Sequence, residues 1–150
     1  MLRRRWGRLS GLPAGKWLFS RILGAAAPYT GTLRARVLVL EPGRCQAVLH
    51  DRRGLRNHLH SVHAMALANL AEMATGLALL AGLPERTRAI LIGFHVEYHH
   101  KARGMLFAEC RCTPPPDNLE RDCEVHGSIQ DERGTVVATA RAVWRTGPES

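Results

Sequence analysis

A chain of 150 residues has the length of one compact domain and leaves no room for a second of ordinary size. Its 45% hydrophobic and 23% charged residues are those of a globular protein, and folding at this length buries roughly 70% of the unfolded surface, so intrinsic disorder is excluded. The net charge of +8 favours an anionic partner: nucleic acid, acidic membrane, phosphorylated cofactor or acidic carrier protein.

Arg3, Arg4 and Arg5 open the chain, but Pro13, Gly15 and Lys16 interrupt the stretch where a signal peptide would carry its apolar core, so a cytoplasmic protein is expected. Leu9, Leu12, Trp17, Leu18, Ile22 and Leu23 predict one or two short amphipathic helices within residues 1–30, packed on the domain rather than laid on a membrane. Residues 32–40 and 44–50 read as strands joined by the turn Glu41-Pro42-Gly43, and residues 51–60 as a polar loop. The apolar run 62–82, with Ser61 as N-cap and Gly82 and Pro84 as its stop, predicts a helix buried on most sides. Its length would suit a membrane span, yet Asn69 and Glu72 near its centre make a core helix the better reading.

Four more strands are predicted at 89–98, 105–112, 123–130 and 135–145, the first presenting Ile90, Ile92, Phe94, Val96 and Tyr98 on one face. Cys123, Val125, Gly127 and Ile129 alternate with polar residues, as in a sheet with one wet face. Two strands, one long helix and four strands with no second long helix predict an α+β fold, an antiparallel sheet curled around one helix, spanning residues 31–147. Small residues such as Ala68, Ala71 and Gly76 let the sheet approach closely. Cys45, Cys110, Cys112 and Cys123 are read as free thiols, and Cys110 and Cys112 are spaced too closely for the usual zinc pair, so no metal and no cofactor is expected.

Glu72 is the unusual residue: a carboxylate in an apolar helix, with Asn69 on the same side one turn earlier. Burial raises the pKa of such a group, which suits a general base or nucleophile; a structural carboxylate satisfied by backbone or Arg is the equal alternative. The loop from Arg56 to Ala64 brings polar groups beside the free N–H donors of the helix start, where a developing oxyanion is stabilised. His58, His60 and His63 lack a ligand spacing and are read as solvated or hydrogen-bonded.

Asn57, His63, Ala64 and Glu72 match in spacing the Asn, His-Gly and Asp/Glu pattern of PaaI-type acyl-CoA thioesterases with the hotdog fold. The wider chain, through Pro28-Tyr29-Thr30-Gly31, Ala68-Asn69-Leu70-Ala71-Glu72, Glu97-Tyr98 and Lys101-Ala102-Arg103-Gly104, resembles the DUF4442 branch of that superfamily. The resemblance implies a long helix wrapped by a curved antiparallel sheet, assembled as homodimers or tetramers with sites between subunits. It further implies that Glu72 attacks the thioester or activates water, that Asn57 positions thioester or water opposite the Glu72 of the other subunit, and that the N–H of Ala64, after His63, polarises the carbonyl. Ala64 replaces the usual Gly, and Met65 follows where a small residue is common, which narrows the approach.

Lys101 and Arg103 are candidates for the phosphates of coenzyme A, with Arg52, Arg53 and Arg56 a second patch; neither has the interleaved aromatics of a nucleic-acid platform. Asn69, Met65 and Met73 are candidate substrate-binding residues, Met65 and Met73 as walls of the acyl pocket. The expected function is hydrolysis of acyl-CoA, or of acyl carrier protein. The alternative is a non-catalytic acyl-CoA or lipid-binding protein of the same fold.

Overall fold

A computed structural model describes residues 2–149. Three helices come first: α1 (Leu2–Leu9), α2 (Gly15–Ala26) and α3 (Pro28–Gly31). The hairpin β1 (Arg36–Glu41) and β2 (Arg44–His50) follows, then the long helix α4 (Ala64–Gly82) and the strands β3 (Thr87–Tyr98), β4 (Met105–Arg111), β5 (Arg121–Asp131) and β6 (Val136–Pro148). The six strands form one antiparallel sheet in the order β1-β2-β4-β5-β6-β3, and every strand packs on α4. This is the hotdog arrangement expected above. Although α4 is long and apolar enough to cross a bilayer, here it is enclosed by the sheet.

The Ala- and Leu-rich sequence of α4 favours a helix, and its small residues set how close the sheet comes. A methyl on Gly76 would sit 2.9 Å from ring carbons of Trp144 on β6, and one on Gly127 of β5 would sit 3.1 Å from the Thr75 methyl. The core runs from Val37, Cys45 and Leu49 through Leu70, Ala74, Ala78 and Leu79 to Leu106, Ile129 and Val137. Phe19 of α2 joins it, 2% exposed, and Trp6 of α1 packs edge-on against that ring at 5.0 Å. Pro13 and Gly15 fall where α1 ends and α2 begins, as expected of a helix breaker and a flexible residue.

Three expectations are corrected. First, α4 starts at Ala64 with His63 as N-cap, not at residue 62 with Ser61. The Ser61 N–H and hydroxyl both donate to Asn57 Oδ1, and Val62 bridges Arg56, so Ser61 is committed to the preceding loop. Second, β1 begins at Arg36 rather than at residue 32. The Thr32 hydroxyl and the Arg34 N–H are drawn back onto Tyr29 O and Gly31 O, and Arg34 turns through a left-handed φ of 54°. Third, Ile90 and Ile92 do not share a face with Phe94 and Val96. The pairing of β3 with β6 shifts between Leu91 and Gly93, so Ile92 is an extra residue that reverses the alternation. Leu91, Phe94 and Val96 pack on the core while Ile90 and Ile92 are 50% and 46% exposed.

Candidate functional site

The loop before α4 is held from both sides. The Asp51 carboxylate accepts two hydrogen bonds from the Arg56 guanidinium, at 2.7 and 3.1 Å, and faces the Gly104 N–H. That Arg56 contact holds the Asp51 carboxyl below the usual carboxylate range. Asn57 Oδ1 accepts from the Leu59 N–H at 2.9 Å and from the Ser61 N–H and hydroxyl, which folds residues 57–61 into a tight turn and leaves the Asn57 amide group without a partner among the described residues. The Arg103 guanidinium donates to the carbonyls of His60 and Leu59, bracing the same turn.

At the helix start, His63 Nδ1 accepts from the Met65 N–H at 3.1 Å, while the N–H groups of Ala66 and Leu67 bond His63 O. Because Nδ1 accepts, the neutral ring carries its proton on Nε2. Among the described residues, the Ala64 N–H has no hydrogen-bond partner, so one donor at the positive end of the helix stays free. The Tyr98 hydroxyl donates to Ala64 O at 3.0 Å and fixes this first turn against the end of β3. Neither Tyr98 nor the Asp51–Arg56 pair was singled out for this role; a carboxylate five residues before an arginine in a polar loop was the available signal for the latter.

Glu72 stands out on α4: between Ala66 and Ala81 only Glu72 and Leu80 are not buried. Burial pushes the half-buried Glu72 carboxyl above its ordinary value, and among the described residues no hydrogen bond or cation offsets that effect. The turn beneath it is fixed by Thr75, fully buried, whose hydroxyl donates to Glu72 O at 2.9 Å. Among the described residues Glu72 is thus in no ion pair.

The predicted residues are distributed over several cavities of one chain. His63, Met65 and Asn69 line a cavity of about 200 Å³ with Tyr29, Leu55 and Arg56. Asn57, Ala64 and Lys101 line another of about 310 Å³, beside Tyr98. Met73 lines a third, of about 750 Å³, under α2 and α3. Glu72 lies along α4 between Asn69 and Met73, the wall residues of the first and the third. Asn57 lines the second of these cavities, and Glu72 lines none of the three.

The four cysteines are free. Burial pushes the Cys45 thiol up to about 12, and a hydrogen bond with Cys112 together with burial raises that of Cys110, so neither is a ready nucleophile. Among the described residues no group of three or more His, Cys, Asp and Glu is gathered as a metal site.

Comparison with solved structures places the fold. A structural-genomics crystal structure is 27% identical, with 98% of each chain covered and a TM-score of 0.84. A Pseudomonas aeruginosa protein described as of unknown function and a probable thioesterase is 22% identical, covering 92% of this chain and 97% of its own, with a TM-score of 0.78. A Ralstonia eutropha protein whose name couples an inferred thioesterase with phenylacetic acid degradation is 21% identical, covering 84% and 97%, with a TM-score of 0.69. No curated protein matches the chain. The family described as domain of unknown function DUF4442 matches residues 15–146, nearly the whole hotdog domain and α2 with it. The chain therefore belongs to the DUF4442 family, and its fold is the hotdog fold of these neighbours.

Proposed function

We propose that the protein is a cytoplasmic acyl-CoA thioesterase that works without a metal or cofactor. The observation that carries this reading is a half-buried carboxylate, Glu72, with no partner to neutralise it, on the same helix whose first N–H, that of Ala64, is free. In the water-activating route, Glu72 takes a proton from water as the oxygen attacks the thioester carbonyl carbon; because about 12 Å of helix separates residues 64 and 72 of one chain, it is the partner subunit's Ala64 that donates its N–H to the resulting oxyanion. Collapse re-forms the carbonyl, breaks the carbon–sulfur bond and returns the proton from Glu72 to the leaving thiolate. Direct attack by Glu72, giving an acyl-enzyme anhydride that water then cleaves, uses the same groups.

The separation of Asn57 from Glu72 within one chain supports a site completed by a second copy, in which the partner subunit's Asn57 offers its unpartnered amide to the thioester or water. The long free edge of β3, with Ile90 and Ile92 exposed, is the surface suited to such pairing, in a dimer or a tetramer. Neighbours with thioesterase names support the hydrolytic reading, and their fold supports the placement of the site.

The test is an acyl-CoA chain-length panel read by thiol release, comparing wild type with Glu72→Ala. Turnover by wild type that falls at least about a hundredfold in the variant is expected. Equal trace rates for both would reject it. Met65, 58% exposed beside the Ala64 N–H, favours the second reading, a binding protein without turnover. Tight acyl-CoA binding without product release would establish that reading instead.

A further inference from the structure

All of the net charge is in the first 40 residues. They hold eight of the 21 Lys and Arg and no Asp or Glu, while the remaining 13 basic residues are matched by 13 acidic ones. Part of this charge surrounds a cavity of about 750 Å³, which α2, α3 and the approach to β1 form over α4. Arg21, Arg34, Arg36 and Arg52 line it, no acidic residue does, and none of the four has a carboxylate partner among the described residues. Arg52 uses one guanidinium nitrogen to donate to Thr32 O, but its Nε is buried without a partner. Unpaired guanidinium groups around one concavity repel one another unless an anion joins them.

The walls are fixed rather than draped. Ser20 accepts from the Val37 N–H at 2.9 Å, and Lys16 Nζ donates to Leu38 O at 2.8 Å, tying α2 to β1. Gly24 and Gly31 pack backbone to backbone, where a methyl on Gly31 would lie 2.4 Å from Gly24 O, so α2 and α3 are held at close range. The floor includes Met73, the residue after Glu72, and Thr32 is a wall residue of both this cavity and the one containing His63 and Asn69. Trp17, 56% exposed, adds a flat aromatic face beside the arginines.

We infer that this cavity binds the phosphorylated nucleotide end of coenzyme A, with the arginines on its phosphates and Trp17 against its base. A lone carboxylate would answer one guanidinium, whereas four require an anion with several charges, and an aromatic wall suits a nucleobase. Thr32, a wall residue of both cavities, sets the nucleotide beside the cavity that Asn69 lines. Arg103, a sequence candidate for the same phosphates, is already engaged by two carbonyls. The assignment rests on the acyl-CoA reading for the identity of the nucleotide, but its test does not need turnover.

The experiment is calorimetric titration of the full chain with adenosine 3′,5′-bisphosphate. Arg21 and Arg36 are exposed and make no side-chain hydrogen bond, so Arg21→Gln/Arg36→Gln should fold normally. Saturable binding by wild type is expected, weakened at least about tenfold in the double variant and unchanged in Arg133→Gln, which removes a charge from a distant hairpin. In the same double variant the KM for acyl-CoA should rise, while hydrolysis of an acyl-N-acetylcysteamine thioester, which lacks the nucleotide, stays at the wild-type rate. Absence of bisphosphate binding, equal binding by wild type and the double variant, or equally tight binding of inorganic phosphate would overturn the assignment. Bisphosphate binding with no hydrolysis of either thioester would overturn the thioesterase reading and leave this site standing.

Discussion

At its C-terminal end α4 is anchored: the Gly43 N–H donates to Ala78 O at 3.0 Å and Pro114 packs over Gly82, while a cavity of about 630 Å³ lined by Leu77, Leu80, Arg3, Arg4 and Glu85 lies beside its last turns. At its N-terminal end the same helix keeps a free N–H at Ala64, an exposed Met65 and two cavities against its first turns. One end spends its polar groups on the fold, and the other holds some in reserve. The contrast lies in what the backbone does at each end: Ala78 O is bonded to the β1–β2 turn, whereas the Ala64 N–H has no partner among the described residues.

Disrupting the anchored end should have the largest effect. Gly43 has a φ of 74°, and a methyl there would lie 2.2 Å from Cys112 O, so Gly43→Ala combines backbone strain with a clash. We expect it to lower stability by about 3 kcal/mol in urea unfolding. A loss below about 1 kcal/mol would mean that this corner is not a fixed point.

At the open end, stability and function should separate. Asn57→Ala removes three hydrogen bonds to the loop and should cost about 2 kcal/mol. Asn57→Asp keeps the acceptor and loses the free amide donor, so its fold should survive while thioester turnover falls about tenfold or more. Equal turnover in Asn57→Asp and wild type would confine Asn57 to the loop.

The Asp51–Arg56 pair offers a smaller, pH-dependent effect. Because the Asp51 pKa is lowered in the folded state, its contribution is present above the ordinary aspartate value of about 3.9 and is lost as pH falls through the folded value. Thermal unfolding of wild type and Asp51→Asn should therefore differ at pH 7 and converge in strong acid. A constant difference across that range would exclude the ionised pair as its source.

Periodicity was enough to read α4 and five of the strands to within a few residues, because burial against one face leaves a repeating mark. It misled where a local device broke the repeat. The extra residue at Ile92 reversed the faces of β3, and the Asn57 turn took Ser61 away from the helix it was expected to cap. The strand expected from residue 32 was shortened by the turn after α3, set by Pro28 and the contact between Gly24 and Gly31. In the candidate site, the types and spacing of Asn57, His63, Ala64 and Glu72 were legible. The free state of the Ala64 N–H and the solitary state of the Glu72 carboxylate were not, since both depend on which groups fail to meet in three dimensions.

The most direct measurement is thermal stability of wild type and Glu72→Gln from pH 3 to pH 8, alongside turnover. The Glu72 pKa is raised in the folded state, so its stabilising contribution is fully present below the ordinary glutamate value and disappears as pH rises through the folded one. The account predicts that Glu72→Gln is at least as stable as wild type at pH 7, that the difference closes near pH 3, and that turnover drops by about a thousandfold. A variant clearly less stable than wild type at pH 7, with turnover lost only in proportion to the folded fraction, would make Glu72 a structural carboxylate and contradict the account.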